Sequence, residues 1–178
     1  MSPKELEAWL ERLHEESYGW ARSCTGDAAR AEDVLQTAYV RVIAGHAQYG
    51  GRSSFRTWLF GVIRHVALEE NRRAAREERR TVAMDAAARV ADPGAQNAAE
   101  TDSSRALRQA LAQLPERQRE VLHLVFYQDM SIADAAEVMQ VSVGSARTHY
   151  ERGKARLRVL LASRSGDSAI RDTGGGQA

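Results

Sequence analysis

The stretch that decides the fold of this chain reads SIADAAEVM-QVS-VGSARTHYERGKARLR and runs from Ser131 to Arg158. Its first nine residues place apolar side chains at positions 132, 135, 136 and 139, the spacing of one face of a helix. Ser131 and Ser142 each stand where a serine caps the start of a helix. The small Ala135 and Ala136 allow two helices to pack closely. A short helix, a three-residue turn and a longer helix together predict a helix-turn-helix.

The second helix of this motif carries polar and basic side chains on the surface outside its apolar face. Residues in the first two turns of such a helix reach base edges in the major groove of DNA, where arginine can pair bidentately with guanine. Basic residues farther along suit phosphates, which hold the register of binding. An ordinary helical hairpin with a solvated charged face is the alternative. We predict contacts with duplex DNA from Ser145, Arg147, Thr148, Glu151, Arg152 and Lys154.

Outward from this motif, nearly every patterned segment has the period of a helix, so the predicted fold class is all-α. The apolar stripe that begins at Phe55 ends at Val66, residues 71–80 are strongly basic, and a new apolar stripe begins at Ala106. We predict two small helical domains, residues 1–80 and 104–162, joined by a flexible linker over 81–103. Alanine, scattered acids and Asp92-Pro93-Gly94 fill the linker. Residues 163–178 end in a glycine run and are predicted to be a disordered tail.

Composition excludes several classes of protein. The chain has 178 residues, a net charge of +1 and one cysteine, so an intramolecular disulfide is impossible. Its histidines are scattered, so we expect no metal site. The sequence shows no nucleophile–base arrangement and no phosphate-binding loop, so we expect neither enzymatic activity nor a cofactor. No apolar stretch suits a signal peptide or a membrane span. We expect a cytoplasmic protein without membrane insertion.

Charge is segregated along the chain. Residues 1–33 hold four basic and eight acidic side chains, whereas residues 52–80 hold eight arginines and four glutamates. Residues 147–164 hold six basic side chains and one glutamate. Two basic segments far apart in sequence favour a polyanion held at two places, although solvated helix faces would show the same charges.

Three further motifs carry a family resemblance. They are Ala31-Glu32-Asp33-Val34-Leu35-Gln36, Phe55-Arg56-Thr57-Trp58-Leu59-Phe60 and Leu114-Pro115-Glu116-Arg117-Gln118-Arg119-Glu120-Val121-Leu122. With the helix-turn-helix, the third resembles region 4 of sigma factors of the extracytoplasmic-function (ECF) type, in the sigma-70 family. It also resembles the output domain of LuxR-like regulators. The first two motifs resemble sigma region 2, in the right order, and therefore favour the sigma factor.

The resemblance implies a promoter-specificity subunit of bacterial RNA polymerase that directs the core enzyme to promoters. Its expected partners are core RNA polymerase, promoter DNA and an anti-sigma factor. Region 4 of the family reads the −35 element. Region 2 binds the polymerase clamp, here through Glu32, Asp33, Gln36 and Thr37. Region 2 also opens the −10 element, here through Arg64, His65, Arg72, Arg73 and Arg76.

The chain departs from the family pattern at some of these positions. Thr37 stands where the family usually has an acid. Simple divergence explains this difference, and the alternative is that phosphorylation of Thr37 restores the negative charge. His65 stands where the family often has an asparagine. Trp58 and Phe60 suggest platforms for stacking bases, but their spacing is more typical of core residues.

Two other functions are compatible with the helix-turn-helix alone. One is a dimeric transcriptional regulator that acts without polymerase and spans two half-sites. The other is a helical adaptor that binds only protein. Neither explains why the acidic-amide motif, at residues 31–36, and the aromatic, basic segment that begins at Phe55 occur in the same chain.

Overall fold

The computed structural model describes residues 2–82 and 102–171, and the side chains within 2–80 and 103–163. Within these ranges the chain forms eight α-helices and no strand, as the all-α prediction requires. The helices are α1 (Pro3–Arg12), α2 (His14–Thr25), α3 (Ala28–Ile43), α4 (Phe55–Val82), α5 (Asp102–Ala112), α6 (Glu116–Phe126), α7 (Ile132–Met139) and α8 (Val143–Arg171). None of these helices is long and apolar enough to cross a membrane.

Short-range capping bonds set the starts of the N-terminal helices. Ser2 and Glu5 form a capping box around the first turn of α1, where the Ser2 amide donates to Glu5 Oε2 at 2.6 Å. Gly26 ends α2 in the left-handed conformation, at φ 75°. Asp27 then caps α3 by accepting a bond from the amide of Arg30 at 2.8 Å.

The sequence predicts one helix from Pro3 to Gly26, but the structure has two. Leu13 ends α1 and precedes α2, with φ −93° and ψ 4°. Leu10, Leu13 and Trp20 remain buried on both sides of this break. The bend therefore preserves the predicted apolar stripe while the chain changes direction.

A single hydrophobic core contains residues from both predicted domains. Leu59 and Ile63 of α4 are buried in the same cluster as Val121 and Leu124 of α6 and Met139 of α7. The closest packing between the halves joins α4 to α7 and α2 to α6. Domains of this size bury small cores on their own, so docking adds apolar burial to both.

The C-terminal helix is longer than predicted. Helix α8 continues to Arg171, whereas the sequence predicts its end near residue 162 and a disordered tail from 163. No proline interrupts residues 163–171, and Gly166 does not end the helix, which continues past it to Arg171. Residues 83–101, most of the predicted linker, and residues 172–178 lie outside the described residues.

Candidate nucleic-acid interface

The helix-turn-helix is formed by α7, the turn at residues 140–142 and the start of α8. Ser131 accepts a bond from the Asp134 amide at 3.1 Å, and Ser142 accepts one from the Ser145 amide at 3.1 Å. Gln140 adopts φ 55°, which turns the chain sharply at the end of α7. These local bonds confirm both predicted serine caps.

The N-terminal part of α8 turns its polar side outward. Ala146 is fully buried, and so is Ala135 on α7, so both small residues lie inside the motif. Five of the six side chains predicted to contact DNA are exposed, namely Ser145, Arg147, Thr148, Glu151 and Arg152. This half of the predicted site therefore forms one continuous polar surface.

Lys154, the sixth of these residues, is half-buried and differs from the others in its surroundings. Its Nζ lies 3.4 Å from Glu151 Oε1 and 4.6 Å from the centre of the Tyr150 ring. The ammonium group is thus held over the aromatic face, near the end of the exposed surface. A fixed cation at this place suits a phosphate better than a base edge.

Helix α4 carries a second basic surface. Arg72, Arg73 and Arg76 are all exposed on its C-terminal half. His65 is also exposed, and its Nε2 lies 3.0 Å from Glu69 Oε1. The pKa of Glu69 is lowered, mainly by the hydrogen bond from Arg41 at 2.6 Å. His65 is therefore oriented by a carboxylate that stays ionised.

Arg64 lies elsewhere than the sequence predicts. Only 3% of this residue is exposed, so its side chain is not on the surface that carries His65. Its Nε lies 2.7 Å from Glu120 Oε1, and its Nη2 lies 3.3 Å from Glu120 Oε2. Burial against α6 and this bidentate ion pair explain the difference, and sequence periodicity shows neither.

The acidic-amide motif forms a surface on α3. Glu32, Asp33 and Gln36 are exposed, and Thr37 is half-buried. Glu32 and Gln36 border an open groove between α2 and α3, whose walls are His14, Tyr18, Glu32, Leu35, Gln36 and Tyr39. The motif therefore offers carboxylate and amide groups at the edge of an aromatic-lined surface.

Trp58 and Phe60, the two candidate stacking platforms of the motif at residues 55–60, have separate positions. Phe60 is fully buried, which agrees with a core role. Trp58 is half-buried and packs beside Phe55 and Tyr49, with ring centres 5.2 Å and 5.5 Å away. Trp58 therefore belongs to an aromatic cluster at the edge of the core.

Sequence reasoning missed the polar groups that join the two halves. Glu120 is 5% exposed, although it is charged, and Gln128 is 6% exposed. His123 lies against Trp20, and burial lowers the pKa of its imidazole to about 4. The sequence does indicate that Glu120 is buried, because this residue falls on the helix face that carries the apolar Val121 and Leu124.

Comparison with known proteins gives the family. Residues 9–77 match the model of Sigma-70 region 2, and residues 104–157 match that of Sigma-70, region 4. Over 142 residues the chain is 31% identical to the ECF RNA polymerase sigma factor EcfG of Rhodopseudomonas palustris, covering 80% of this chain and 77% of that protein. The chain belongs to the ECF sigma factors. This sigma factor is also 30% identical over 157 residues to SigX of Bacillus subtilis, covering 83% and 79% of the two chains.

Solved structures share the fold of this sigma factor. One is the sigma factor RpoE in complex with the anti-sigma factor NepR from Bartonella quintana, with a TM-score of 0.73 and 22% identity. It covers 89% of this chain and 98% of that one. Another is CnrH in complex with the cytosolic domain of CnrY, with a TM-score of 0.63, 23% identity, and coverage of 91% and 90%. Membership of the family makes this chain an RNA polymerase sigma factor.

Proposed function

We propose that this sigma factor directs core RNA polymerase to promoters by reading a −35 element with α8 and opening a −10 element with α4. The observation that carries the proposal is the outward polar face of α8. Ala146 is buried there, while Arg147 and Thr148 on the same turn are exposed. A helix fixed in this way can enter a major groove without any rearrangement of the helix-turn-helix.

For −35 recognition, the division of labour follows position along α8. Ser145, Arg147 and Thr148 lie in the first two turns, where side chains reach base edges. Glu151 accepts hydrogen bonds and suits the amino group of cytosine. Arg152 and Lys154 lie one turn later and suit phosphates, which add affinity without sequence preference.

For −10 opening, the exposed residues of α4 provide a basic track. Arg72, Arg73 and Arg76 would hold the DNA backbone. His65 would hydrogen-bond a base near the opened segment. Extruding a base costs a few kcal/mol, and this cost is offset by stacking and pocket contacts. Arg64 would join this track only when it is released from Glu120.

For polymerase binding, the acidic-amide surface of α3 is the proposed site. Asp33 and Gln36 are exposed about one turn apart, where they can bind arginines or amides of a partner helix. Glu32 adds a second carboxylate at the edge of the groove, and Thr37 lies beside them. An anti-sigma factor is a further proposed partner, because solved structures of the same fold are complexes with NepR and CnrY.

Run-off transcription with purified core polymerase tests the proposal. Promoters are first selected from a random DNA library by transcription with the reconstituted holoenzyme. We expect transcripts that depend on the added protein and on two elements at promoter spacing. A protein that shifts duplex DNA as a dimer but supports no transcript would be a conventional regulator. A protein that does neither, yet binds an anti-sigma factor, would be the adaptor.

A further inference from the structure

A buried ion pair joins the two halves of the molecule. Arg64 of α4 and Glu120 of α6 are 56 positions apart, and their side chains are 4% and 7% exposed. The contact is bidentate, with Nε and Nη2 of the guanidinium each donating to one carboxylate oxygen. Arginine recognises phosphate with the same two-pronged geometry.

The surroundings of this pair come from both halves. Arg117 lies on α6, with its Nη1 3.4 Å from Glu120 Oε2, and also donates to the carbonyl oxygen of Met139 at 3.2 Å. Cys24 of α2 packs against the core beside the pair. Its pKa is raised well above the ordinary value, first by burial and then by the carboxylate of Glu120. Arg64 thus has an anionic partner only because α6 is docked.

Other polar contacts between the halves are hydrogen bonds that water can replace, and several of them involve Gln128. Arg56 donates from Nη2 to the carbonyl oxygen of Gln128 at 2.6 Å. The hydroxyl of Thr57 lies 3.4 Å from Asp134 Oδ1. On opening these polar groups are exchanged for water at little cost, so the apolar contacts of the shared core are what oppose separation.

The energetics of the ion pair fit an interface with two states. A buried pair loses hydration when it forms, and its mutual attraction roughly offsets that loss. If the halves separate, both groups regain water, so opening is not strongly opposed by the pair. If one partner is removed, the other is left buried and charged, which strongly disfavours the docked state.

We propose that the Glu120 carboxylate occupies the Arg64 guanidinium in place of a DNA phosphate, so that docking of the two halves and DNA binding by Arg64 exclude each other. The proposal rests on the proposed function, in which α4 meets the −10 region. Glu120 then acts as an internal competitor of promoter DNA. Undocking of α6 from α4 becomes a step that precedes full engagement of the DNA.

Alkylation of Cys24 in the full-length protein measures undocking, since it is the only cysteine in the chain. Glu120→Gln should shift the equilibrium toward the open state by at least roughly a hundredfold, because it leaves Arg64 buried without a charged partner. Iodoacetamide should then react with Cys24 roughly tenfold faster or more, since the half-buried thiol loses the cover of α6. Arg64→Gln should also open the molecule and speed the reaction, although loss of this arginine raises the pKa of Cys24 in the docked state, so the acceleration reports undocking and not the direct effect of a charge on the thiol. Glu137→Gln is the matched control, because Glu137 is an exposed carboxylate on α7 of the same half and does not affect the pKa of Cys24.

A second variant protects the test against simple misfolding. Arg64→Met combined with Glu120→Leu replaces the pair by apolar side chains, which favours the docked state. Its Cys24 should react no faster than in the wild-type protein. Circular dichroism confirms helical content in each variant. Small-angle scattering should show a larger radius of gyration for Glu120→Gln alone.

DNA binding by the full-length protein tests whether Arg64 exchanges the Glu120 carboxylate for a DNA phosphate. With a random-sequence DNA duplex as probe, Glu120→Gln should steepen the slope of log K against log salt concentration by about 0.9, the contribution of one additional phosphate contact. Adding Arg64→Gln to that variant should remove the increase. An unchanged slope, or an increase that persists without Arg64, overturns the exchange.

The outcomes separate this proposal from the proposed function. Cys24 reactivity in Arg64→Gln that is no higher than in the wild type and in Glu137→Gln overturns the inference even if the protein supports promoter-dependent transcription. Absence of transcription with core polymerase overturns the proposed function even if Glu120→Gln opens the molecule. Since the alkylation and scattering measurements need neither polymerase nor a known promoter, one failure is not mistaken for the other.

Discussion

The indole Nε1 of Trp20 donates a hydrogen bond of 3.0 Å to the carbonyl oxygen of Phe60. The two rings also stack, with centres 6.1 Å apart and planes 11° from parallel, and both residues are fully buried. The Trp20 ring lies 5.4 Å from that of His123 as well. One residue of α2 therefore contacts both α4 and the docked α6.

Trp20→Phe should lower the free energy of unfolding by about 1–3 kcal/mol, because it removes the hydrogen bond to Phe60 and leaves part of the ring volume empty. Urea denaturation followed by circular dichroism measures the change. Trp9→Phe is the control, since Trp9 is 37% exposed and packs its ring under Arg12. Equal losses in the two variants would mean that the Trp20 contact contributes little.

Gly153 and Gly61 should respond to alanine with opposite signs. A Cβ at Gly153 would lie 3.1 Å from Leu122 Cδ1 and 3.3 Å from the carbonyl oxygen of Gln118, so its neighbours on α6 would have to give way by a few tenths of an ångström, and a backbone oxygen does so less easily than a side chain. We expect Gly153→Ala to cost about 1–3 kcal/mol of stability. At Gly61, within α4, no described atom beyond the local helix lies within 4 Å of an added Cβ. Gly61→Ala should therefore stabilise by about 0.5–1 kcal/mol.

Thermal or urea unfolding of both glycine variants tests this pair of predictions. Both substitutions add one methyl group to a helix. A difference in the sign of the stability change therefore reports the space around each glycine and not the helix propensity of alanine. Stabilisation by Gly153→Ala would contradict the close approach of α8 and α6.

Stability should depend on pH through His123. Its pKa is lowered to about 4 by burial, whereas an unfolded imidazole takes up a proton near pH 6.5. Between these values the unfolded state binds more protons, so the free energy of unfolding falls as the pH decreases through that window. From pH 7 to pH 5 the loss should be about 2 kcal/mol.

His123→Phe identifies this contribution, because carboxylates also titrate at low pH. Phenylalanine can keep the tilted ring contact with Trp20 and the stacking with Tyr127 but does not titrate. Urea denaturation at pH 5 and pH 7 should show a smaller pH-dependent loss in this variant than in the wild-type protein. His46→Gln, at an exposed position, should keep the full loss.

Arg147 and Lys154 should affect DNA recognition differently. In the holoenzyme, Arg147→Ala should lower discrimination between the selected −35 element and a scrambled one by about 1–3 kcal/mol, since a base contact is lost. Lys154→Ala should weaken both DNAs alike and reduce the salt dependence of binding. Competition binding with the two DNAs measures the ratio. Equal losses on both DNAs for Arg147→Ala would remove its assignment as a base reader.

Asp33 should matter for polymerase binding and Thr37 should set its strength. Asp33→Asn should weaken binding to core polymerase by about fivefold or more, because a charge-assisted contact is lost. Thr37→Glu, which supplies the acid usual in the family, should strengthen it. Glu7→Gln on α1 is the control, and fluorescence anisotropy of labelled protein measures the affinities. Normal transcription by Thr37→Ala in cells would exclude phosphorylation of Thr37 as a required switch.

Much of the fold could be predicted from the sequence because its determinants are local. Ser131, Ser142 and Asp27 cap helices through bonds that span three residues. The spacing of apolar positions in α7 likewise predicts which face is buried. Each family motif is also a contiguous run of residues, so the order of amino acids is enough to recognise it. The exposed face of α8 therefore agrees with its prediction residue by residue, apart from the half-buried Lys154.

The tertiary structure decided what distant residues do to each other. Arg64 has the sequence context of a DNA-binding arginine, yet Glu120, 56 positions away, holds it inside the molecule. An added Cβ at Gly153 is crowded because α6 passes close to it, and the pKa of His123 is lowered because the residue is buried against Trp20 of α2. Periodicity and capping act over a few residues and specify helices and their faces. Which face meets which depends on packing between segments far apart in the chain. The sequence alone therefore determined the helix-turn-helix and the family, and the docking of the halves determined which of their charged groups are available.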